Sequence, residues 1–126
     1  MYTMFNEAHT GLAQLALLFT VAWAVVAATV PAGISEIRGW RKSIYIAAMA
    51  VTGVVGLSGL VIMVMGSWYA FGFVWLGLLA IVLHGLAGTR SRKAAVAGAK
   101  GRAVGMAAAQ IVFLVVAYGL MTVRPF

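Results

Sequence analysis

The sequence predicts an all-α integral membrane protein, a bundle of four transmembrane helices. Of its 126 residues, 64% are hydrophobic and only 9% are charged, whereas a soluble domain is about half apolar and roughly a quarter charged. Four apolar stretches come close to the roughly 20 residues that a helix needs to cross a bilayer. Their length, and the absence of polar alternation, exclude barrel strands. The predicted helices span residues 10–32, 44–65, 68–87 and 103–123.

Helix 1 (10–32) is expected to be retained rather than cleaved as a signal peptide, because no basic segment precedes it and its apolar stretch is long. Helices 2 and 3 are joined by the short junction "GSW", which starts at Gly66. The basic, Ala- and Gly-rich stretch 91–101 before helix 4 is predicted to be a mobile connection. The whole chain is expected to form a single transmembrane domain.

The basic residues predict the orientation of the bundle. Eight of the nine lie in the connections between helices 1 and 2 and between helices 3 and 4. By the positive-inside rule, both connections are cytoplasmic and both chain termini periplasmic, as in a bacterial inner membrane. The net charge of +7 is therefore a topology signal with some attraction for anionic lipid, and we expect no nucleic-acid partner. The eight residues are Arg38, Arg41, Lys42, Arg90, Arg92, Lys93, Lys100 and Arg102.

The chain has no cysteine. This excludes enzymes that work by disulfide exchange, and it excludes metal sites built from thiolates. A haem attached covalently through a CxxCH motif is excluded for the same reason.

Polar side chains at membrane depth are costly and are therefore candidates for function. Four stand out in the predicted helices or at their ends: His9, Gln14, His84 and Gln110. His84 can be a ligand, or it can be a buried side chain that bonds across helices or to Gln110. The hydroxyls of Thr20, Thr52, Ser58 and Thr122 are expected to bond to the backbone of their own helices.

Small residues predict where the helices pack against one another. Gly56 and Gly59 follow one side of helix 2, and Gly101 and Gly105 are spaced four residues apart in helix 4. Gly77, Ala80, Ala87 and Gly88 lie near the helix face of His84, so this imidazole is expected to point at a neighbouring helix.

Both histidines are candidate ligands for haem iron through a neutral ring nitrogen. His9 lies at the start of helix 1 and His84 about 15 residues into helix 3, which separates them by about 20 Å in depth. One iron cannot therefore bind both within one subunit. His84 is expected in the cytoplasmic leaflet, where Met49 or Met106 can supply a second ligand.

A copper site is the alternative at the outer level. Thioether sulfur suits Cu(I), and three methionines are predicted to lie at the depth of His9: Met63, Met65 and Met121. Methionine also fills irregular gaps between helices, so the same residues can serve packing alone.

Three motifs resemble those of the HemJ/CopD/SirB-like superfamily of four-helix inner-membrane proteins. They are His9 within "NEAHTGLAQLALLFTVAW", the "GSW" junction into a third helix that ends in Leu83–His84, and the C-terminal "LMTVRPF". The resemblance implies that His9 is a haem ligand. The lysine that HemJ-type protoporphyrinogen oxidases carry in helix 3 is absent, and "AGAKGRAVG" replaces the asparagine–glutamate pair before helix 4. Protoporphyrinogen oxidation is therefore not expected.

Three functions remain open at the level of sequence. The first is a b-type haem protein, or a haem-binding accessory subunit of an electron-transfer complex. The second is a cofactor-free structural or assembly subunit. The third is a copper-handling or small-solute transport protein. The expected partners are membrane lipid and other membrane-protein subunits, or further copies of the chain.

Overall fold

A computed structural model describes residues 1–31 and 33–124. These residues form four long α-helices, a single turn of 3-10 helix at Trp68–Ala70, and no strand. All four are long and apolar enough to cross a membrane, which confirms the prediction of a helical, multi-pass membrane protein. The helices are α1 (Tyr2–Thr29), α2 (Trp40–Met65), α3 (Gly72–Val96) and α4 (Lys100–Val123).

The helix ends differ from the predicted ones, most of all in α3. This helix begins at Gly72 rather than at residue 68 and continues to Val96 rather than ending at residue 87. The stretch predicted to be mobile is therefore largely helical. The reason is that Ser91, Ala94 and Ala95 are buried against the bundle, while the basic residues between them face outward. Positive charge marks the membrane boundary but does not end a helix.

The helices α1 and α2 are also longer than predicted at their N-terminal ends. The helix α1 begins at Tyr2 and ends at Thr29, and α2 begins at Trp40. The predicted end of helix 1, Ala32, lies outside the described residues, as do Pro125 and Phe126 of the "LMTVRPF" motif.

The four helices form two antiparallel hairpins, α1 with α2 and α3 with α4, which meet mainly through α1 and α4. The half of the bundle towards the basic connections is tightly packed. Trp23 is fully buried there and donates its indole N–H to Ser91 Oγ over 3.0 Å. The Ser91 hydroxyl in turn donates to the Ala103 carbonyl over 2.7 Å. This chain of bonds joins α1, α3 and α4.

Glycine allows close packing at some positions and is simply exposed at others. A Cβ on Gly88 would lie 2.6 Å from Met49 Sδ, and still closer to the Gln110 amide. Gly101 and Gly105, by contrast, are exposed and would meet nothing within 4 Å. The prediction that these two glycines of α4 pack against another helix of the bundle is therefore wrong within the described residues.

Candidate functional site

A cavity of about 380 Å³ lies between the two hairpins, in the half of the bundle that contains both chain ends. We call it the outer cavity. Its volume falls within the range of small-molecule sites, and its walls come from all four helices. The side chains that matter for binding are Tyr2, Asn6, His9, Gln14, Met63, Trp68, Tyr118, Met121 and Arg124.

Glycines of α2 and α3 let neighbouring side chains pack closely against the wall of the cavity. Gly56, Gly59 and Gly77 line the cavity. A Cβ on Gly59 would come within 3.3 Å of His9 Cε1. Gly59 thus makes room for the imidazole between α1 and α2, and the ring forms part of the cavity wall.

The hydrogen bonds of Ser58 determine which nitrogen of His9 is free. The Ser58 hydroxyl donates its single proton to the Val55 carbonyl over 3.0 Å. Its oxygen lies 2.7 Å from His9 Nδ1, so it accepts a hydrogen bond from Nδ1–H. A neutral imidazole protonated at Nδ1 has its lone pair at Nε2, and Nε2 makes no hydrogen bond among the described residues. His9 therefore presents a fixed, unoccupied lone pair beside the cavity.

His84 has a different arrangement. It is only 1% exposed, and its Nε2 lies 2.9 Å from Thr20 Oγ1 and 3.5 Å from the Gln110 amide nitrogen. His84 Nε2 therefore lies between polar groups of two other helices and does not face a cavity. Gln110 also donates to the His84 carbonyl over 3.2 Å and contacts Met49 Sδ at 3.7 Å. His84 Nδ1 and Gln110 Oε1 have no partner among the described residues.

His84 lies at the centre of α3, twelve residues from each end of Gly72–Val96. It does not line the outer cavity. Its partner Thr20 follows His9 by eleven residues on the same helix, which places the two imidazoles about 16 Å apart along the bundle axis. The prediction that the histidines occupy separate levels agrees with this geometry.

The predicted methionine ligands divide between the two levels. Met63 and Met121 line the outer cavity together with His9, whereas Met65 does not and is 39% exposed. Met49 contacts Gln110, and Met106 is partly exposed on α4. Three of the four proposed copper ligands therefore share one cavity. The described residues hold no group of three or more His, Asp or Glu side chains that can bind a metal ion.

Sequence reasoning missed the partners of both histidines. Ser58 and Thr20 were expected to bond only to their own helices, but each contacts an imidazole. Thr52 and Thr122 do bond four residues back, as predicted. The sequence does not indicate which hydroxyl residues contact an imidazole. Ser58 and Thr20 lie 49 and 64 positions from the histidines that they contact.

Comparison with protein families, curated proteins and solved structures finds no match to the chain.

The bond between Thr20 and His84 makes a matched pair of variants informative. Thr20→Val keeps the side-chain shape but leaves the buried His84 Nε2 without its close partner, so we expect a loss of about 1 kcal/mol of bundle stability, the size of an interhelical bond in membranes. Thr52→Val is the control, because Thr52 is equally buried but bonds only to Ala48 of its own helix. Thermal unfolding in detergent measures both variants. Equal midpoints for the two would show that the bond between Thr20 and His84 contributes nothing.

Proposed function

We propose that this protein is a membrane haem protein that holds haem b in the outer cavity, with His9 Nε2 as an axial ligand. One observation carries the proposal: the Nε2 lone pair is free beside an apolar cavity while Nδ1–H is held by Ser58. Histidines that ligate metals characteristically donate their other ring N–H to a neighbouring group in this way. His84 lacks this arrangement, so we assign it to packing and not to iron.

The other residues of the outer cavity suit the same ligand. Its walls are mostly apolar, as a porphyrin face requires. Arg124 stands at the outer end with its guanidinium 4.7 Å from the centre of the Trp68 ring, where a cation can pair with a carboxylate. The thioethers of Met63 and Met121 are candidates for a second axial ligand. Bound haem supplies one-electron chemistry, while the chain binds it, orients it and excludes water.

The resemblance to the HemJ/CopD/SirB-like superfamily supports the role of His9, because that family's helix-1 histidine corresponds to it. The missing helix-3 lysine argues against an oxidase. We therefore propose electron transfer, either by this protein itself or as the haem-binding accessory subunit of a larger membrane complex.

We further propose that the bundle lies in a bacterial inner membrane with its basic end in the cytoplasm. The outer cavity then lies in the periplasmic leaflet. The absence of cysteine allows a direct test with single cysteines at exposed positions on the two ends, Ser67→Cys and Ala97→Cys. A membrane-impermeant maleimide added to intact cells should label the first and not the second. Labelling of Ala97→Cys but not of Ser67→Cys would show that the bundle has the opposite orientation.

A copper(I) site is the second candidate, because His9, Met63 and Met121 line the same cavity. It requires only two sulfurs and one nitrogen, all of them ligands that Cu(I) accepts. Metal analysis of the purified protein distinguishes it from haem, since Met63→Leu should lose copper while leaving a histidine-ligated haem bound.

Absorbance of the purified protein tests the haem proposal. In mild detergent we expect a Soret band, with sharp α and β bands after dithionite. His9→Ala should lose the bands and His84→Ala should keep them. Ser58→Ala should weaken haem affinity about 10- to 100-fold, the usual effect of losing such a supporting bond.

Two results would overturn the haem proposal. Bands that survive in His9→Ala but disappear in His84→Ala would show that His84, and not His9, is the iron ligand. A protein that stays colourless after purification from its native membrane and after addition of haem would leave the cofactor-free structural subunit as the better account.

A further inference from the structure

A layer of side chains in contact with one another lies at the outer end of the outer cavity. The Trp68 indole N–H donates to the Tyr2 hydroxyl over 3.0 Å. The Trp68 ring packs against Phe73 at 6.0 Å between ring centres, and the Arg124 guanidinium covers the same ring. This layer joins the start of α1, the turn before α3 and the end of α4 across the outer end of the bundle.

The exposed part of the lining of the outer cavity lies on α1 and α4. Every lining residue from α2 and α3 is buried or half-buried, whereas the exposed lining residues come from α1, from α4 and from the residue that follows α4. An opening between these two helices would face the bilayer, because both helices cross it. The exposed lining residues are Gln14, Val115, Tyr118, Thr122 and Arg124.

This exposed lining carries polar groups that are costly in lipid. Gln14 is exposed on α1, one turn beyond Thr10, which also lines the cavity. Tyr118 is exposed on α4. The Gln14 amide and the Tyr118 hydroxyl make no hydrogen bond among the described residues, so both can bond to a molecule that crosses between the helices.

We infer that the ligand of the outer cavity enters sideways from the bilayer between α1 and α4, and not from the periplasmic water. The ligand class is therefore a lipid-soluble molecule that is largely apolar and carries groups able to bond to Gln14, Tyr118 and Arg124. Identifying it as haem rests on the proposed function, but the route itself does not. A free hydrated metal ion does not fit this route.

Spin-label accessibility tests the route without any ligand. Ala117 is buried in the cavity wall on α4, so a nitroxide on Ala117→Cys reports on what enters the cavity of the full chain in liposomes. Val112→Cys is the lipid reference, exposed on the same helix but not lining the cavity. Ser67→Cys in the exposed outer turn is the water reference. Collisions with oxygen report contact with the bilayer, and collisions with a water-soluble nickel chelate report contact with water.

We expect the label at Ala117 to collide with oxygen about as often as the label at Val112, and with the nickel chelate about tenfold less often than the label at Ser67, because the hydrocarbon core excludes water. Frequent collisions with nickel would show that the Trp68 layer is open and would overturn the inference. Rare collisions with both would show a closed cavity and overturn it equally. Thr10→Cys, half-buried on the other wall, provides the same test if Ala117→Cys does not fold.

The haem experiments remain separate from this result. A protein that binds no haem but shows the expected collisions would refute the proposed function and retain the route. A protein that binds haem while its cavity label collides with the nickel chelate would support the proposed function and refute entry from the bilayer.

Discussion

A neutral imidazole has one N–H and one lone pair, and the hydroxyl beside His9 fixes which of them remains free. Ser58 gives its proton to a backbone carbonyl and so accepts from His9. Thr20 lies beside the His84 Nε2 that also meets the Gln110 amide. One histidine is left with an available lone pair beside a cavity, while the Nε2 of the other contacts side chains of two further helices. The assignment of function follows from this difference between two otherwise similar residues.

The two halves of the bundle differ in packing, as their two histidines differ in bonding. Around His84 and below it, Trp23, Ser91 and Gln110 fill the space between helices with side chains that bond to one another. Above it lies a cavity lined by glycines of α2 and α3, with the aromatic turn at its outer end. A close-packed interior resists deformation, so the packed half provides a rigid base for the cavity. On the cavity side of α1 and α4, the polar side chains of Gln14 and Tyr118 are exposed.

The fold could be predicted because local features of the sequence determine it. Four long apolar stretches and alternate basic connections are sufficient for a four-helix membrane protein, whatever the details of packing. The far end of α3 could not be predicted, because a run of basic residues is typical of the end of a membrane span, and burial of Ser91 and Ala95 depends on the neighbouring helices. Gly88 and Gly105 look alike in sequence, yet one touches Met49 and Gln110 while the other is exposed.

The candidate site was predictable only in its residue types. His9, Met63 and Met121 could be named from depth alone, and they share a cavity. Their helices face each other for reasons of packing that no short motif records. Thr20 and Thr52 illustrate the limit: each can bond to its own backbone, and only the helix opposite decides that Thr20 bonds to His84 instead. The role of a polar residue in a membrane bundle is therefore set by its partner and not by its position in the sequence.

The most direct test of this account is nitrogen NMR of the protein with ¹⁵N-labelled histidine, before and after addition of zinc protoporphyrin, which is diamagnetic and takes one axial nitrogen ligand. With only two histidines in the chain, His9→Ala assigns both sets of signals. The account predicts a proton on Nδ1 of His9, and a large shift of His9 Nε2 alone when the porphyrin binds. A proton on His9 Nε2, or a porphyrin-induced shift at His84 instead, would contradict it.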